Sequence, residues 1–124
     1  LVVLMLGMGA NGKSELWTTL AHLVGKEFVY SGSIDQLEKN RFLIGSLRGK
    51  RLFVDDDMRA GQKLPDGALK KLSEAKLLSG ELKGQDAFTF TNLAFPILLA
   101  NNEPSTSDVS PGMLRRIMVI PFQH

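Results

Sequence analysis

An uninterrupted apolar run, residues 1–6, leads straight into Gly7-Met8-Gly9-Ala10-Asn11-Gly12-Lys13-Ser14. Six apolar residues without alternation suit a strand covered on both faces, as strands of parallel sheets are. The glycines that follow let backbone N–H groups curl inward as an anion nest, which side chains carrying a Cβ would obstruct. Gly7, Gly12, Lys13 and Ser14 satisfy the spacing G-x-x-x-x-G-K-[ST] in full. Leu16, Trp17, Leu20, Leu23 and Val24 then recur at helical spacing on one expected face, and Gly25 ends the pattern. A helix starting at Ser14 points its positive end at whatever anion the loop holds. The pattern predicts a nucleotide site built by Gly7, Gly9, Ala10, Asn11, Gly12, Lys13, Ser14 and Glu15. Lys13 would reach the β- and γ-phosphates and the Ser14 hydroxyl would ligate magnesium, so ATP with Mg2+ is the expected ligand.

Three further groups of residues can complete such a site. Asp55-Asp56-Asp57 follows a short strand expected over residues 51–54, and ligands of α/β sheets gather beyond the carboxyl ends of strands. One carboxylate, Asp55 first, would hold the magnesium shell, and a neighbour, Asp56 or Asp57, would orient or activate the attacking water. Asn101, opening Asn101-Asn102-Glu103-Pro104, follows an apolar strand expected over 95–100, where an amide can bond a phosphate and the attacking water together. Arg115 and Arg116 precede Ile117-Met118-Val119-Ile120-Pro121-Phe122, and a guanidinium can stabilise charge on a transferring phosphoryl.

The remaining segments give an α/β sheet flanked by helices, with a β-hairpin inserted. Ser33 with Gln36 resembles a capping box that opens a helix carrying Leu37 and reaching toward Ile44. Pro65 starts a short helix through Leu72. Residues 77–82 and 87–91 read as a hairpin whose tip, Lys83-Gly84-Gln85-Asp86, offers Lys83 to a nucleic-acid phosphate. A polar loop is expected over 101–112 and a last strand over 113–122. His22 and His124 receive no role.

At 124 residues the chain has one domain's length, and residues 1–124 are read as a single unit excised from a longer protein. The absence of cysteine excludes disulfides and thiolate zinc sites and fits a reducing cytoplasm. No stretch approaches the roughly 18 apolar residues of a membrane helix, so no membrane partner is expected. The opening run has no basic flank and is no secretory signal. A net charge of +2 names no partner by itself.

Phosphate loop, acidic strand end, basic hairpin, strand ending in Asn101, and Arg115-Arg116 before an aliphatic strand and Pro121-Phe122: this order resembles the superfamily 3 helicases, especially the ATPase domains of phage and plasmid primase-helicases. The resemblance implies a P-loop NTPase of AAA+-like fold that assembles into a ring, commonly a hexamer, around single-stranded DNA. It implies that Lys13 and Ser14 bind Mg-ATP and that Asp55 and Asp56 form the second motif. It makes Asn101 the sensor, Arg115 or Arg116 a finger given to a neighbour's ATP, and Lys83 the DNA-contacting lysine. Members usually carry a glutamate at the acidic strand end, and an alternative alignment of Gly49-Lys50-Arg51-Leu52 puts Asp57 there. The Gly-Gly-Asp signature of many members' hairpins is missing. The implied location is the cytoplasm, that of the bacterial host for a phage or plasmid protein.

Two other classes share the phosphate loop. A small-molecule kinase needs an acceptor pocket and an arginine-bearing lid, for which little length remains. An ATP-gated assembly module would bind nucleic acid without translocating. A GTPase would carry Asn-Lys-x-Asp, which Asn101-Asn102-Glu103-Pro104 does not match.

Overall fold

Parallel strand pairing organises the chain. The computed structural model describes residues 1–7, 12–59, 61–73, 77–102 and 110–122. β1 (Val2–Leu6) lies between β6 (Phe95–Ala100) and β7 (Ile117–Pro121). β6 also pairs with β3 (Leu52–Met58), and β3 with β2 (Val29–Ser31), giving the order β2-β3-β6-β1-β7 with every pair parallel. Helices α1 (Lys13–Val24), α2 (Ile34–Lys39), α3 (Arg41–Ser46), α4 (Asp66–Ser73) and α5 (Pro111–Leu114) connect these strands, and β4 (Leu77–Gly80) pairs antiparallel with β5 (Phe88–Thr91). No helix among the described residues is long and apolar enough to cross a membrane.

Alternation along each strand supplies two cores. Val2, Leu4, Phe53 and Leu98 join Ile34 and Leu37 of α2, Ile44 of α3 and Leu69 of α4 on one face. Val3, Met5, Leu52, Val54, Ile97 and Leu99 face the other way, against Trp17, Leu20 and Val24 of α1. Both faces are covered, which is why residues 1–6 show no polar alternation. Phe53 is fully buried and stacks on Tyr30 at 5.8 Å, so burial of such a side chain contributes roughly 1.5–3 kcal/mol.

Several elements differ from the sequence expectation. Leu16 and Leu23 point away from the core, Leu23 at 79% exposure, and Ala21 takes the place expected of them. The helix expected to run from Ser33 toward Ile44 breaks at Asn40, whose Oδ1 accepts the Phe42 N–H at 2.9 Å and caps α3. β2 has no counterpart in the sequence reading; its three residues follow a one-turn 3-10 segment, too short to show a period. β3 continues through the aspartates to Met58 instead of stopping at Val54. Met113 and Leu114 belong to α5, capped by Ser110, so the last strand starts at Ile117.

The β4–β5 pair is seated on α3. A Cβ at Gly45 would collide with the Glu81 carbonyl, and one at Gly80 would lie 2.7 Å from the Gly45 Cα. Arg41 pairs with Glu81 at 3.3 Å, and the Arg48 guanidinium lies 4.9 Å from the Phe88 ring centre. Glycine at both contact points lets the helix and the strand touch backbone to backbone.

Candidate functional site

Because the five strands run the same way, their carboxyl ends share one edge. The Gly7 N–H donates to the Ala100 carbonyl at 3.1 Å, joining the ends of β1 and β6. Ala100 is also the register partner of Met58. Gly7, Asn101 and the aspartates of β3 therefore sit on three adjacent strand ends, with Asn101 in the middle. Gly9, Ala10 and Asn11 lie outside the described residues.

Where the chain re-emerges, Gly12 is left-handed, with φ 94° and ψ −2°, and its carbonyl accepts the Leu16 N–H that opens α1. An added Cβ there would meet nothing within 4 Å, so the constraint on Gly12 is conformational and the surrounding space stays open. Ser14 and Glu15 are exposed in the first turn of α1. Lys13 is only 6% exposed, and its Nζ donates to the Gly7 carbonyl across the ends of the loop. A buried ammonium is costly unless paired, so its position marks a site that stabilises or uses positive charge.

The three aspartates are not equivalent. Asp55 is 4% exposed; its Oδ2 accepts the Ile34 N–H at 2.9 Å and its Oδ1 accepts the Asp57 N–H at 3.2 Å. Burial pushes its carboxyl above the ordinary value, and the two N–H donors partly counter that. Asp56 and Asp57 are exposed. Asp55 pairs with Leu98 and Met58 with Ala100, so Asp56 and Asp57 together oppose Leu99 alone. That is a β-bulge, and it throws both carboxylates outward. A cleft of about 480 Å³ is lined there by Ser33, Gln36, Asp55, Asp56, Asp57 and Gln62, among others. Among the described residues no three acidic or histidine groups are arranged to hold a metal by themselves.

Asn101 is exposed just past β6. Arg115 and Arg116 lie at the other edge of the sheet: the Arg116 carbonyl accepts the Val2 N–H at 2.7 Å, and Ile117 is in register with Val2. At about 3.3 Å per residue, β1 puts roughly 16 Å between that point and Gly7. Lys83 is exposed in the turn between β4 and β5, where the Gln85 N–H donates to the Leu82 carbonyl at 3.0 Å. The chain thus gathers Gly7, Lys13, Asn101 and the aspartates and leaves Arg115 and Arg116 at the opposite end of β1, while Lys83 stands on the separate β4–β5 pair.

Sequence reasoning missed the first turn of α2 as part of this edge. Ser33 occupies the cap position but makes no side-chain cap bond; Asp55 satisfies the helix from another element. Arg59 Nη2 meets Asp35 Oδ2 at 3.3 Å beside it. The acidic run itself was the only sequence signal, since a partner 21 residues away leaves no local pattern.

The model of one family, described as a family of unknown function (DUF5906), matches residues 5–116. No curated protein matches. Among solved structures, a JCV helicase bound to a small molecule superposes with a TM-score of 0.68 at 23% identity, over 98% of this chain and 35% of that one. The C-terminal region of NrS-1, in an apo form, gives 0.65 at 19% identity, over 98% and 29%. The chain therefore spans about a third of the length of these structures and shares their fold.

Proposed function

This chain belongs to the DUF5906 family, and we propose that it is the Mg-ATP-hydrolysing motor domain of a superfamily 3 type helicase, acting on single-stranded DNA in phage or plasmid replication. The observation that carries this reading is the parallel register, with Asn101 between the Gly7–Lys13 strand end and the Asp55-Asp56-Asp57 strand end. The likeness in fold to a JCV helicase supports the same side.

The residues fit the ligand. The left-handed Gly12 leaves its surroundings open, Lys13 brings a cation to the end of β1, and the first turn of a twelve-residue helix points N–H groups the same way. Bound Mg-ATP would supply the phosphoanhydride bond whose hydrolysis drives movement. Lys13 and the first turn of α1 would neutralise phosphate charge, and the Ser14 hydroxyl would be a ligand to the metal. Asp56 and Asp57 are the exposed carboxylates at this strand end and would face metal and water, whereas Asp55 is buried with each oxygen accepting a backbone N–H. Asn101 orients the attacking water. Arg115 or Arg116, roughly 16 Å away along β1, serves a neighbouring copy in a ring, with a hexamer the expected size. Lys83 contacts the DNA backbone from its exposed turn, and the work is done in the host cytoplasm.

ATP turnover with and without single-stranded DNA tests this, with assembly size read by light scattering. DNA-stimulated turnover that is lost in a folded Lys13→Ala protein is expected. Turnover indifferent to DNA would favour an ATP-gated assembly module, and full turnover in Lys13→Ala would remove the ATP-site assignment.

A further inference from the structure

The acidic strand end is gripped from one side. Ile34 opens α2, and its N–H is one of the donors a helix start leaves without an intrahelical partner. Ile34 is fully buried, so water cannot serve that donor, and Ser33 does not. The Asp55 carboxylate does so from β3, and its other oxygen closes the bulge by accepting the Asp57 N–H. Four residues on, Arg59 pairs with Asp35, the second residue of α2, while its own N–H donates to Gln62 Oε1 at 2.9 Å. The first turn of α2 thus holds the segment at residues 55 and 59, and Asp56 and Asp57 bow outward between those points.

We propose that Asp55 is a positioning residue that locks the β3 bulge onto the first turn of α2 and so presents Asp56 and Asp57 to metal and water; this rests on reading the edge as an ATP site. A carboxylate suits the task where an amide does not. Two converging N–H donors need two acceptor oxygens, and asparagine offers one oxygen and an NH2 group that meets the second donor head-on. Burying a carboxylate is costly, and Asp56 beside it adds like charge. A serine at the cap position serves the N–H groups two or three residues on, so the buried Ile34 N–H needs its acceptor from another element. The buried acid is accounted for by the bulge that it also closes.

The test combines amide hydrogen exchange at Ile34 and Asp57 with steady-state ATP hydrolysis, on the full chain, for wild type, Asp55→Asn, Asp57→Asn and Arg59→Ala. In Asp55→Asn, exchange at one of the two amides should accelerate. Its kcat should fall about 10–100-fold, as loss of a supporting contact behind metal-binding groups typically does, with KM for ATP and the Mg2+ requirement nearly unchanged. Asp57→Asn should instead raise the Mg2+ requirement. Arg59→Ala releases only the exposed end of the grip and should lower kcat a few-fold at constant KM, which keeps the test open if Asp55→Asn fails to fold. A Mg2+ requirement raised as far by Asp55→Asn as by Asp57→Asn would make Asp55 a direct ligand and overturn the proposal. So would wild-type kcat alongside accelerated exchange, unchanged exchange at both amides, or wild-type kcat in Arg59→Ala. Absence of ATP turnover in the wild type defeats the ATP-site reading and this inference with it, whereas the other contrary results leave that reading intact.

Discussion

At the carboxyl end of the sheet the chain buries charge: Lys13 and Asp55 are both nearly inaccessible, each held by backbone groups. At the amino end Arg115 is exposed and Arg116 half-buried, on a turn between α5 and β7. One end has groups fixed by burial, as a preorganised site needs; the other carries two adjacent arginines, the first of them at the surface. The proposed ATP site would use both kinds, and the length of β1, roughly 16 Å, separates the two ends within one copy. On the proposed reading, the contrast makes each copy the carrier of two half-sites, one at each end of the same strand.

The largest expected effect comes from the exposed end. Replacing Arg115 and Arg116 together by alanine should lower ATP turnover by about 10³–10⁵ while leaving the melting temperature close to that of wild type. A loss under tenfold would demote the pair to surface cations. At the buried end, Lys13→Ala should lower turnover by about 10²–10³, and nucleotide binding should weaken with it. Unaltered nucleotide binding would remove Lys13 from the ligand site and leave its ammonium a structural group.

How far was this division readable beforehand? β1 and the helix after Gly12 were, because a covered parallel strand and a helical stripe both impose local patterns. The exposure of Leu16 and Leu23 was not: helical spacing marks a broad stripe, and only packing decides that Ala21 lies at its centre. The extension of β3 through Asp55-Asp56-Asp57 was hidden because aspartate is depleted in strands, and a bulge with an N–H donor from α2 overrides that tendency. The Asn40 break was hidden because asparagine competes weakly until its side chain finds a backbone N–H. Arg115 and Arg116 were legible as residues, but their place opposite Lys13 follows only from register.

Smaller effects sharpen the same contrast by touching neither half-site. Gly45→Ala forces a methyl group into the Glu81 carbonyl and should destabilise the fold by about 1–3 kcal/mol in urea titration, loosening the β4–β5 pair from α3. A neutral result would mean that the two elements separate easily. Lys83→Ala should weaken single-stranded DNA binding and reduce its salt slope by about 0.7, sparing basal turnover. An unchanged slope would make Lys83 an ordinary turn lysine.

The smallest effect is a pH dependence. The Lys70 ammonium, 2.9 Å away, holds the Asp66 carboxyl below its usual value of 3.8, with help from Ser110. A lowered acid contributes stability above its unfolded value and loses it as pH falls through the folded one. The stability difference between wild type and Asp66→Asn should therefore shrink as pH drops from about 5 to about 2. A difference constant across that window would contradict the assignment.

Complementation between two inactive proteins tests the division of the site most directly. An Arg115→Ala, Arg116→Ala protein keeps the buried half-site, and a Lys13→Ala protein keeps the exposed one. Mixed before assembly, they should recover part of the wild-type ATP turnover, because some interfaces join an intact Lys13 to an intact arginine pair. Mixed assemblies that form yet stay inactive at every ratio would contradict the shared site.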